Sequence, residues 1–147
     1  MIKKTLLCFL CLSLFLSIPG CNKKLPTSPD IPDTPTREAS FILVSSTQGY
    51  ASYGCCEITG TVKNVGQATG YNVMIEFQAY NANNTIIDTA SGFPADLGNI
   101  PVGVSATFDA VFFELYNWNV IAKTTYEITW LTAQGTKLTQ TGFVFFK

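Results

Sequence analysis

Two adjacent cysteines, Cys55 and Cys56, stand in the stretch YGCCE and offer more chemistry than any other neighbouring pair. A thiolate is a nucleophile, a metal ligand and a redox group. The first two roles need companions, and the chain contains no histidine. That removes Ser-His-Asp and Cys-His catalysis and every histidine-containing zinc site. Glu57 is the one ionisable neighbour in sequence. No catalytic set, metal site or cofactor is therefore expected. Two readings of the pair stay open. On an extended strand, adjacent side chains point to opposite faces, giving a buried thiol at Cys56 and an outward one at Cys55. In an oxidising compartment the two instead form a redox-active vicinal disulfide, or bridge to another chain.

The carboxylates Glu57, Glu76, Asp88, Asp96, Asp109, Glu114 and Glu127 are scattered. A hydrolase working with two of them needs the pair about 5 to 10 Å apart in a cleft. Most are expected to be solvated charges on outer faces. The aromatics offer a different chemistry. The stretch FFELYNWNV places Tyr116 and Trp118 among asparagines. Exposed there, they would contact a ligand by stacking on a sugar ring or seating a peptide. The competing reading folds Trp118 back to close one end of the domain. Tyr50 and Tyr53, in a glycine-containing loop, suit either scheme.

The totals narrow the setting. With 147 residues the chain holds one domain with a real core. A net charge of -1 argues against a nucleic-acid partner. Lys3 and Lys4 precede an almost wholly apolar run, Thr5 to Ile18. A transmembrane helix needs about 20 apolar residues, so the run suits the core of a secretory signal peptide better than a permanent anchor. Cys21 follows Ile18-Pro19-Gly20. This resembles the lipobox of bacterial lipoproteins, with Pro19 an unusual member. The resemblance implies cleavage before Cys21, attachment of lipid to its thiol, and an extracytoplasmic site on the outer membrane where the cell has one. Without lipidation, residues 1–20 are an ordinary signal and Cys21 is a bystander. Two or three acyl chains, at about 0.8 kcal/mol per buried methylene, hold a protein to a bilayer almost permanently.

Residues 21–39 read as the attachment point and a stalk. Pro26, Pro29, Pro32 and Pro35 recur every third residue, the period of a polyproline II helix. At about 3.1 Å per residue the stretch from Lys23 to Glu38 spans about 50 Å.

Residues 40–147 must position everything else, and they read as strands. Cys56, Ile58, Gly60 and Val62 alternate with polar residues, as do Val73, Ile75, Phe77 and Ala79. Ala106, Phe108, Ala110 and Phe112 form a third row, and Tyr126, Ile128 and Trp130 a fourth. FILVSS opens the domain and KLTQTGFVFF closes it. Seven or eight short strands with turns every eight to twelve residues predict an all-β, antiparallel β-sandwich.

GTVKNVG (60–66), FQAYN (77–81) and PVGVSATF (101–108) resemble the bacterial FxLYD-type domain. Phe77 and Tyr80 match its hallmark, while Ala79 and Asn81 replace the leucine and aspartate. The resemblance covers about half of the mature chain. It implies an immunoglobulin-like sandwich, no enzymatic activity, and an accessory role on exported proteins. The expected function is a lipid-anchored envelope protein presenting an interaction module for an envelope protein or glycan. Alternatives are a carbohydrate-binding module using Tyr116 and Trp118, and a small carboxylate hydrolase.

Overall fold

The computed structural model describes residues 37–144. Residues 1–20, expected from the sequence to be a signal peptide, Cys21 and the prolines at 26–35 lie outside the described residues. Among those described there are seven strands and no α-helix. They are β1 (Phe41–Tyr50), β2 (Cys56–Asn64), β3 (Tyr71–Tyr80), β4 (Ile86–Gly92), β5 (Ser105–Val111), β6 (Lys123–Leu131) and β7 (Lys137–Val144). Short 3-10 turns sit at Pro94–Leu97 and Trp118–Val120.

All pairings are antiparallel, in one sheet of order β1-β2-β5 and a second of order β4-β3-β6-β7. The two sheets make an immunoglobulin-like sandwich of seven strands. The alternating rows meet between them. Ile58, Val62, Val73, Ile75, Phe77, Phe112 and Ile128 have no exposed surface. Aromatic pairs bridge the sheets, with Phe41 against Trp130 at 5.1 Å and Phe77 against Phe108 at 5.6 Å between ring centroids. Such tilted contacts add to the burial of large apolar surfaces.

Strand β1 runs past FILVSS to Tyr50. Thr47 through Tyr50 keep register with Thr59 through Cys56 although their side chains show no apolar alternation. Backbone pairing to a central strand, rather than side-chain burial, extends it. At about 3.3 Å per residue β1 is about 30 Å long. It therefore spans the sandwich from the end where the chain enters, near Ala39, to the opposite end at Tyr50.

Three hairpins share one turn geometry. Gly54, Asn84 and Gly135 donate backbone N–H bonds to Ala51, Asn81 and Thr132, at 2.8, 3.0 and 2.9 Å. Each of the three has positive φ: +79°, +61° and +81° respectively. Glycine and asparagine adopt that conformation with least cost, which is why they occupy those positions.

One polar residue is built into the core. Asn64, at the end of β2, has no exposed surface. Its amide donates to Ala68 O at 2.7 Å and Ile100 O at 2.9 Å, and its oxygen accepts from Gly66 N at 3.0 Å. These bonds join β2 to both loops that follow at the chain-entrance end.

Candidate functional site

The end of the sandwich remote from the chain's entrance is made by the turns at 51–55 and 81–85 and by the β5–β6 connection, 112–122. That connection is fixed by β2: Phe112 N donates to Cys56 O at 2.9 Å, and Cys56 N donates to Leu115 O at 2.7 Å. Beyond it, Trp118 turns back. Its indole N–H donates to Gly49 O at 2.9 Å, and its ring meets Phe112 edge-on at 6.2 Å and 90°. Trp118 is half-buried and closes this end of the core, whereas Tyr116 is 63% exposed.

Both Cys55 and Cys56 are free thiols and both are buried. The outward Cys55 expected from alternation is corrected: the residue is only 4% exposed. It lies just before β2 begins, where alternation has no hold, and the 112–116 segment covers it. Its thiol donates to Phe113 O at 3.8 Å. The hydrogen bond between Tyr116 and the Cys55 thiol pushes the tyrosine pKa above its ordinary value, with the cysteine's charge adding to the effect. Burial pushes the Cys56 thiol up, reinforced by its neighbour Cys55. The peptide between the two cysteines is held on both sides, since Ala51 N donates to Cys55 O at 2.9 Å while Cys56 N is held by Leu115.

Beside these thiols lies an open cleft of about 370 Å³, lined by Tyr50, Ala51, Ser52, Tyr53, Glu57, Val111 and Phe113. Register explains its composition. Glu57 stands between Gly49 on β1 and Val111 on β5, so it faces outward from the middle strand. Tyr53 projects from the tight turn and is 87% exposed; Phe113, just past β5, is 71% exposed, and Tyr50, ending β1, 58%. Three exposed aromatic side chains are thus gathered around one hollow. Glu57 is half-buried, and its carboxylate makes no hydrogen bond or ion pair among the described residues.

Tyr50 and Tyr53, which fitted either scheme from sequence, line this cleft; Tyr116 and Trp118 do not. Phe113 was missed because the inward row read from the sequence ends at Phe112 and the stretch beyond it is read for Tyr116 and Trp118. The only signal for it was a second bulky apolar residue immediately after an inward one, which alternation sends outward.

The structure also brings two carboxylates together. Glu76 on β3 and Glu127 on β6 are register partners on the outer face of the four-stranded sheet. Directly opposed residues hold their Cβ atoms about 5 Å apart. They border a shallow hollow of about 150 Å³ with Thr125, Thr141 and Phe143. Gln78 donates to Glu76 at 3.5 Å, and the Tyr80 hydroxyl donates to Gln78 at 2.8 Å. Both acids project the same way from an open sheet, whereas hydrolytic pairs flank the bond they cleave. No group of three or more His, Cys, Asp or Glu able to hold a metal ion occurs among the described residues.

No protein-family model matches the chain, and no curated protein matches it. Among solved structures the chain is similar to DesR, a beta-glucosidase from Streptomyces venezuelae solved in complex with D-glucose. The identity is 14% and the TM-score 0.39, and the alignment covers 73% of this chain and 15% of that one. A likeness of that size carries no argument about activity.

Proposed function

We propose that this chain is a lipid-anchored cell-envelope protein, held by Cys21, whose β-sandwich is a non-enzymatic binding module of the FxLYD type. The observation that carries the binding role is the position of the aromatic cleft. It lies at the end of the domain opposite the chain's entrance, about 30 Å along β1. A module tethered through its N-terminus and displaying ligand-contacting rings wants them there. The anchor rests on the lipobox-like Ile18-Pro19-Gly20-Cys21, and the stalk on the prolines at every third position. The FxLYD reading draws support from its motif residues. Asn64 is a buried hydrogen-bonding hub, Phe77 has no exposed surface, and Tyr80 closes β3.

Intact mass of the protein purified from membranes tests the anchor. A chain beginning at Cys21 and carrying acyl groups is the expected result. Retention of residues 1–20 with an unmodified thiol at Cys21 defeats it. Crosslinking in intact envelopes tests the module: the adducts formed by the native protein should disappear with Tyr53→Ala and Phe113→Ala together. Adducts unaltered by that double substitution place the binding surface elsewhere.

A further inference from the structure

We propose that the cleft at Tyr50, Tyr53, Glu57 and Phe113 binds an alkylammonium group, taken either as a small free cation or as a lysine side chain of a partner. The inference rests on the reading of this domain as a binding module and names the chemistry that its cleft selects.

Three observations carry it. First, the walls are two tyrosines and a phenylalanine, more than half exposed and gathered around one hollow. The faces of such rings attract cations placed within about 6 Å of their centres. Second, the remaining charged member is Glu57, a half-buried carboxylate without an ion-pair partner among the described residues. A carboxylate set among aromatic rings is complementary to a positive group with an apolar periphery. Third, the surroundings carry the same sign. Glu114 follows Phe113, and its backbone N–H binds Asp88 at 3.0 Å. Of the four basic residues described, Arg37, Lys63 and Lys137 belong to the chain-entrance half. The fourth, Lys123, is bonded to Asn84 and lies 4.4 Å from the centre of the Tyr80 ring. None of the four lines the cleft.

The lining holds no basic side chain to repel a cation, and Glu57 is its one charged member. An alkylammonium needs only rings and one negative charge.

Calorimetric titration of the full chain in detergent tests this with choline, with its uncharged isostere 3,3-dimethylbutanol, and with a lysine-bearing peptide beside its acetyl-lysine form. Choline or the lysine peptide should bind at least tenfold more tightly than its neutral counterpart. Glu57→Gln should weaken that binding about tenfold, as should Phe113→Ala, while Glu127→Gln on the other sheet leaves it unchanged. Preference for choline identifies a small-molecule source, and preference for the peptide a protein source. Equal binding of the charged and neutral probes, no binding of either cation, or binding indifferent to Glu57→Gln overturns the proposal. Loss of cation binding with envelope adducts still dependent on Tyr53 and Phe113 overturns the ligand class alone. Loss of both removes the binding module itself.

Discussion

The side chain of Asn64 donates a hydrogen bond to Ile100 O at 2.9 Å across the buried end of the sandwich, joining the last residue of β2 to the loop that leads into β5. The same amide reaches Ala68 O at 2.7 Å. Buried polar groups left without partners cost about 1–3 kcal/mol each. Asn64→Ala is therefore expected to lose about 3 kcal/mol, measured by urea denaturation. Asn64→Asp keeps the acceptor and loses both donors, so it should be at least as damaging. A loss below about 0.5 kcal/mol for both would show that these loops hold without the hub.

Gly60 lies mid-strand in β2, beneath β1 and the Phe108 ring. A Cβ built there would sit 2.3 Å from Ser45 O and 2.8 Å from the ring. Backbone cannot yield as a side chain does, so Gly60→Ala should cost about 3 kcal/mol. Gly49→Ala, with nothing within 4 Å of its new Cβ, serves as the control. Comparable denaturation midpoints for the two would contradict the close approach.

The inner rows of β2, β3 and β5 could be read from alternation alone, because each strand has one buried face and one wet one. Asn64 falls in that same parity, yet its polarity hid it: nothing in the sequence tells a hydrogen-bonded amide from a solvated one. Cys55 was misplaced for the opposite reason. Parity was extended one residue beyond the strand, into a turn covered by a segment almost sixty positions later. The cleft was illegible because Glu57, Val111 and Phe113 meet only through the β2–β5 register, and register is set by the fold as a whole.

The two thiols should resist alkylation. Cys55 and Cys56 are 4% and 0% exposed. At neutral pH, peptide mapping after brief iodoacetamide treatment should find both unmodified, with full labelling in denaturant. A vicinal bond would pull on a peptide held by Ala51 on one side and Leu115 on the other. Mild oxidant should therefore leave both thiols titratable in the folded protein. Rapid formation of a Cys55–Cys56 bond without loss of structure would refute this.

Stability should decline in alkali. Burial raises the Cys56 pKa above its ordinary 9.0, and the Cys55 thiol raises that of Tyr116 above 10.0. Above pH 9.0 the unfolded chain releases its Cys56 proton while the folded chain keeps it, so stability present below pH 9 falls as pH rises. Tyr116 adds to the decline above pH 10. Urea midpoints should be level from pH 7 to 8.5 and fall thereafter, with a shallower fall in Cys56→Ala. A midpoint that climbs between pH 9 and 10 would reverse the assignment.

The hairpin carrying Tyr53 is closed by main-chain bonds and by Gly54 alone. Positions 52 and 53 hence have no duty in holding the scaffold upright. Substitutions at those two positions change the rim of the hollow while the two-sheet body beneath stays as it was. In this architecture the rim is separable from the shape that carries it.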